Sequence, residues 1–181
     1  MATSVRSTSA GFRGARIDCN TGAWPTVTTL FLCLVFFQCL LGALVAGNQA
    51  GLIDNDWPLM NGDVFPAGYA KATLWATLAH SQPAVQFNHR MVAYAVVIAA
   101  MGITGTGLNS RLLMGQSRAL VLAVGVMTLL QVSLGIATLM LHVPLPLALA
   151  HQAGAAILLG LATALAWRVR RPSGSKAAEN R

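Results

Sequence analysis

The sequence predicts an all-α membrane protein: a bundle of four transmembrane helices, built from two pseudo-repeated helix pairs, with both termini inside. Three observations carry this. Charged residues make up 9% of the 181 and apolar residues 55%, with a mean hydropathy of +0.62, whereas a soluble domain is about a quarter charged. Four apolar runs each reach the roughly twenty residues that cross a hydrocarbon core about 30 Å thick. The basic residues fall almost entirely on one side of those runs, as the positive-inside rule requires.

Residues 1–26 are a basic tail rich in Ser and Thr, with Asp18 as its one acid. It reads either as a mitochondrial transit segment or as a disordered inner tail. Helix one covers about 27–47. The outer loop, 48–83, is much longer than the other two and holds Asp54, Trp57, Tyr69 and Trp75, aromatic anchors suited to headgroup depth. A structureless loop of that length is unusual, so it is expected to fold over the outer face of the bundle as a lid. Helix two, about 84–107, is broken near its start by Gln86, Asn88, His89 and Arg90. Helices three and four cover about 119–141 and 146–168, which closes a membrane domain of 27–168 ahead of a basic tail, 169–181.

Arg6, Arg13 and Arg16 precede helix one; Arg111 and Arg118 join helices two and three; Arg168, Arg170, Arg171, Lys176 and Arg181 follow helix four. Only Lys71 and Arg90 lie on the opposite side, with Asp54, Asp56 and Asp63. The net charge of +7 is therefore a sign of topology, and no nucleic-acid partner is expected. Cys19, Cys33 and Cys39 form no disulfide framework and no zinc spacing, and the absence of Cys-x-x-Cys-His excludes covalent haem attachment.

Pairing the helices reveals a repeat. Helix one contains FFQCLLGALVAG and helix three LLQVSLGIATLM, so Gln38 and Gly42 match Gln131 and Gly135. Helices two and four each carry a histidine near the outer start: His89 follows Pro83 and His151 follows Pro146. At 1.5 Å per residue each imidazole lies roughly 8 Å inside its helix. A pseudo-two-fold axis along the membrane normal would set the two histidines face to face across the bundle.

Two opposed neutral imidazoles are the donor set of a low-spin, non-covalent bis-histidine haem b. His89 and His151 are the candidate iron ligands. Arg90, beside one ligand at the outer surface, is a candidate partner for haem propionates by snorkelling. Ala148, Ala150, Ala153, Gly154 and Ala155 would let a macrocycle approach the backbone around His151. The alternative for each histidine is a hydrogen bond to a neighbouring helix. His80 and His142 belong to solvated outer loops, and the methionines Met91, Met101, Met127 and Met140 to core packing. Gln38, Gln86, Gln131 and Gln152 read as interhelical hydrogen-bonding residues, worth on the order of 1 kcal/mol each. The GITGTG stretch at 102–107 lacks the Lys-Ser/Thr of a phosphate loop and is better explained by close packing and helix termination. A mononuclear zinc or copper site would lack its further ligands, since no carboxylate lies in the spans.

The stretches GNQAGLIDNDWPLMNG at 47–62, AVQFNHRMVAYAVV at 84–97 and ALAHQAGAAILL at 148–159 resemble, in that order, the haem A synthase family. The similarity runs from about Leu30 to Trp167. The resemblance implies oxidation of the haem O ring methyl to the formyl of haem A, in cytochrome c oxidase assembly. Most members have eight helices in two similar halves, and this chain looks like the C-terminal half, which holds haem b between the counterparts of His89 and His151. The N-terminal half is thought to hold haem O and a required glutamate. Here no Glu precedes Glu179, and the outer-loop cysteine pair of many members is missing. The resemblance thus leaves the catalytic residues unassigned. It implies a second four-helix half, from a homodimer or a separate chain, with membrane lipid, haem O and haem A, haem O synthase and cytochrome c oxidase subunit I as partners. The membrane implied is a bacterial cytoplasmic or mitochondrial inner membrane, with the large loop on the periplasmic or intermembrane side. Two other readings stay open: a non-catalytic four-helix b-type cytochrome passing electrons from a quinone, and a cofactor-free scaffold with structural histidines.

Overall fold

A computed structural model describes residues 22–171. Four long helices are apolar enough to cross a membrane: α1 (Trp24–Gly47), α3 (Gln82–Asn109), α4 (Gln116–Met140) and α5 (Leu145–Arg170). A short helix, α2 (Leu74–His80), and one 3-10 turn, Ala50–Leu52, lie in the loop between α1 and α3. The only β pairing among the described residues is an isolated bridge between Met60 and Asp63. The basic tails expected at 1–26 and 169–181 lie mostly outside the described residues.

All four long helices start earlier than the apolar runs indicate, α4 by three residues at Gln116, and the other three for one reason. Each opens on an X-Pro step, Trp24-Pro25, Gln82-Pro83 and Leu145-Pro146, with the proline in the first turn. Proline's fixed φ suits that position and its missing N–H has no partner to lose there. Trp24 to Thr26, assigned to the tail by sequence, are therefore helical.

The long helices close a ring in which α1 packs on α3, α3 on α4, α4 on α5 and α5 on α1. This puts α1 diagonal to α4 and α3 diagonal to α5. The continuous core fills one end: Phe31 and Val35 of α1, Val96, Ala100 and Ile103 of α3, Val121 and Val124 of α4, and Leu158, Ala162, Leu165 and Val169 of α5. Close approach of α3 and α4 needs two glycines. A Cβ on Gly107 would stand 2.9 Å from Val121 Cγ1, and one on Gly125 would stand 2.5 Å from Thr104 Oγ1. Within GITGTG, packing therefore rests on Gly107, while Gly102 and Gly105 face open space. At the same end Arg170 donates to Thr29 Oγ1 at 2.6 Å, joining the last helix to the first.

The long loop folds over the other end. Asn48 donates to Leu44 O and Ala79 O, each at 2.9 Å, and Gln82 Nε2 donates to Asn48 O at 2.7 Å. Asn55 Nδ2 reaches Leu139 O on α4 at 2.9 Å. Phe65 and Tyr69 meet Phe87 of α3 edge to face, with ring centres 5.1 and 5.8 Å apart, and the Tyr69 hydroxyl donates to Asn88 Oδ1. The sequence reading held no helix here. Thr73 caps α2 by accepting from Ala76 N–H at 3.1 Å; Thr77 and Ala79 turn inward while Leu74, Trp75 and Leu78 are exposed.

Candidate functional site

The loop-covered end holds two matching constellations. On α1, Gln38 and Gly42 sit one turn apart, and His89 of α3 lies against both. Gln38 Nε2 is 3.1 Å from His89 Nδ1 and 3.3 Å from its Nε2, and donates to the His89 carbonyl at 3.1 Å. A Cβ on Gly42 would stand 3.3 Å from His89 Cε1. On α4, Gln131 and Gly135 repeat the spacing against His151 of α5: Gln131 Nε2 is 3.1 Å from Nδ1 and donates to the His151 carbonyl at 2.7 Å. A Cβ on Gly135 would stand 2.8 Å from His151 Cε1. Each imidazole therefore rests on a glycine, which leaves room for a ring, and beside a glutamine that grips the histidine backbone.

The ring order places His89 and His151 on diagonal helices. Helix packing around them is open: α4 buries no residue beyond Thr128, and α5 none before Gly154. Among the described residues the buried side-chain polar atoms without a partner are Gln38 Oε1, Gln131 Oε1, Gln86 Oε1 and Arg90 Nε, all at this end. Buried polar groups are nearly always satisfied, so four orphans at one end of the bundle mark a place built to receive something.

Arg90 departs from the snorkelling expected of it. It is 8% exposed and donates to three loop carbonyls, Asp56 O at 3.1 Å, Leu59 O at 2.8 Å and Asp54 O at 2.7 Å. Gln86, 2% exposed, adds a bond to Asp54 O at 3.1 Å. The loop is thus clamped onto the turn of α3 that bears His89. Burial pushes the Asp54 carboxyl above its ordinary value of 3.8; nearby Arg90 opposes this and Asp56 adds to it. The N–H groups of Asn61 and Gly62 hold Asp56 below that value.

These positions can be set against known proteins. Residues 1–163 match the profile of the cytochrome oxidase assembly protein family (COX15-CtaA). The chain belongs to that family. Its relatives include proteins named heme A synthase. That of Caulobacter vibrioides is 58% identical over 149 residues, covering 82% of this chain and 43% of the relative. That of Maricaulis maris is 40% identical over 151 residues, 83% and 44% of the two chains, and that of Allorhizobium ampelinum 42% over 134 residues, 74% and 36%. The chain spans less than half the length of these relatives. No solved structure matches it.

As a member of the cytochrome oxidase assembly family with four spanning helices, the chain is a multi-pass membrane protein, and the resemblance read from its motifs is borne out. Of the residues singled out by sequence, His89 and His151 stand on diagonal helices, each against a glutamine of a neighbouring helix. His80 and His142 are exposed at the loop-covered end. Gln38 and Gln131 do bridge helices, but sequence alone did not show that a histidine is the partner. Gly154 is put to another use than expected: its missing Cβ makes room for the Gln131 amide oxygen and, at 3.1 Å, Met127 Cε. Asp54 and Gln86 were not read as a pair, although both are apolar-context polar residues of the quoted motifs.

Proposed function

We propose that this chain is the haem b half of a haem A synthase, acting in haem A biosynthesis for cytochrome c oxidase. The observation that supports it is the doubled Gln–His–Gly contact on diagonal helices. Each imidazole lies against a glutamine and a glycine of a neighbouring helix, in the part of the bundle where helix packing is open. The residues fit a bis-histidine haem: two neutral nitrogen donors, orphaned amide oxygens beside each, and an Arg90 Nε left over for a propionate oxygen. The pseudo-two-fold arrangement and inside termini belong to the same reading, the second supported by the basic residues at both chain ends and between α3 and α4.

His89 of α3 and His151 of α5 would hold the haem, which would supply one-electron transfer. The loop, clamped by Arg90 and Gln86, would keep water from that level, and the packed core would seal the other end. Turning a ring methyl into a formyl group removes four electrons and adds one oxygen atom. The four long helices carry no Asp or Glu to move the protons released. That chemistry is assigned to a second four-helix half, supplied by another copy or another chain, with haem O as substrate. The same lack of acids favours the second reading, a b-type cytochrome that passes electrons alone; consumption of haem O by the assembled protein separates the two.

The test is the oxidised and dithionite-reduced spectrum of detergent-purified protein expressed with ample haem. A low-spin b-type spectrum near one haem per chain, lost or converted in His89→Ala and His151→Ala, is the expected result. A colourless wild-type protein, or an unchanged spectrum in both variants, would overturn it.

A further inference from the structure

We infer that a groove on α5, at the end of the bundle away from the long loop, seats one acyl chain of an anionic phospholipid, and that Arg168 and Arg171 hold its phosphate. The groove has a volume of about 550 Å³ and is lined by Ala156, Leu159, Gly160, Thr163, Ala164 and Trp167. Ala156, Gly160, Thr163 and Trp167 are exposed, and a Cβ on Gly160 would meet nothing within 4 Å. Thr163 Oγ1 donates to Leu159 O at 2.8 Å, so its hydroxyl is satisfied within the helix and the wall of the groove is apolar. From Ala156 to Trp167 an α-helix rises about 16 Å. That is close to half of a hydrocarbon core about 30 Å thick, the depth reached by the chains of one leaflet.

The charge at the mouth of the groove selects the occupant. The Arg171 guanidinium lies 3.6 Å over the centre of the Trp167 ring, which closes the groove. Arg168 follows Ala164 by four residues, which puts it on the same face of the helix, and it is exposed. Arg170 is turned away and donates to Thr29 of α1. Two cations where the span ends, one of them stacked on a tryptophan suited to headgroup depth, match the phosphate of a lipid whose chain runs up the groove. The small residues Ala156, Gly160 and Ala164, four apart, would also admit a second helix. Charge decides against a second copy. The acids among the described residues, Asp54, Asp56 and Asp63, all lie in the long loop at the other end. Two copies inserted the same way would bring arginines against arginines here, with no carboxylate to meet them.

The experiment is native mass spectrometry of the full chain released from micelles holding equal parts of phosphatidylglycerol and phosphatidylcholine. Arg168→Gln, Arg171→Gln, Gly160→Leu and Gly102→Leu are compared with wild type. Both glycines are open, so neither leucine substitution meets a clash at Cβ, and only the one at position 160 fills the groove. The wild type is expected to retain one phosphatidylglycerol per chain in preference to phosphatidylcholine. Each Arg variant should cut that preference about fivefold, the contribution of one basic residue at an anionic surface. Gly160→Leu should lose both lipids and Gly102→Leu should keep them. Equal retention of the two lipids by wild type, or an unchanged preference in both Arg variants, would overturn the assignment. Equal loss in the two Leu variants would show that the lipid sits elsewhere. A wild-type dimer that Gly160→Leu alone splits would show that the groove takes a helix of a second copy instead.

Discussion

The two glycines beneath the histidines make a graded prediction, because the same substitution meets different clearances. A methyl group at position 135 would stand 2.8 Å from His151 Cε1 and 3.4 Å from its Nδ1, whereas one at position 42 would stand 3.3 Å from His89 Cε1. Carbon atoms sit comfortably about 3.5–4.0 Å apart, so the His151 ring must retreat by about 0.7 Å and the His89 ring by about 0.2 Å. His151 has little freedom to retreat, since Gln131 holds both its Nδ1 at 3.1 Å and its carbonyl at 2.7 Å. Overpacking of this kind costs about 1–3 kcal/mol, and alanine returns about 1 kcal/mol over glycine inside a helix. Gly42→Ala should therefore be close to neutral, and Gly135→Ala should lose about 0–2 kcal/mol, up to roughly 8 °C in Tm for a chain of this size. Thermal unfolding followed by circular dichroism in detergent gives the stability, and the haem absorbance bands give the ligand geometry. A Gly135→Ala protein that melts with Gly42→Ala and shows the same bands would refute the reasoning.

Gly107→Ala is the matched control at the packed end: its methyl would meet Val121 Cγ1 at 2.9 Å, so Tm should fall while the haem bands stay unchanged. Arg90→Leu strips the charged donor from three loop carbonyls, bonds worth about 1.5–3 kcal/mol each; limited proteolysis should cut the 54–62 segment faster with helix content intact. For pH, the folded Asp54 carboxyl holds its proton more tightly than the unfolded one, so the stability it contributes is full below 3.8 and lost as pH rises through its raised value. Asp56 does the opposite, stabilising above 3.8 and losing that as pH falls through its lowered value. Tm at pH 7 should accordingly hold or rise in Asp54→Asn and drop in Asp56→Asn, and equal drops would contradict the assignment. Reporter fusions should place both ends of the chain on one side of the membrane, opposite Asp54.

The four spanning helices were legible because apolar length alone decides them. Their starts were off where Pro25, Pro83 and Pro146 belong to the first turn. The seven residues of α2 are too few to show a period, and its Leu74, Trp75 and Leu78 face outward, which leaves the cap at Thr73 as the one readable signal. The repeat matched Gln38 with Gln131 and His89 with His151 along the chain. It could not tell which helix each glutamine would face, because neighbour order is a property of the closed ring. The bonds of Arg90 were not legible for a related reason: they go to backbone carbonyls of residues 54–59, whose path no side-chain pattern encodes. Gly154, read as space for a ring, leaves room for the Gln131 amide oxygen.

The closed ring also sets a schedule. Of its four contacts, α1 with α3, and hence Gln38 with His89, can form as soon as residue 109 has been made, but α1 cannot meet its second neighbour, α5, until residues 145–170 exist. At about 5–20 residues per second, the stretch from Asn109 to Arg170 takes roughly 3–12 s to synthesise. For that interval one histidine is gripped while the helix bearing the other has yet to emerge, so the two grips on the ring are made in order, His89 first.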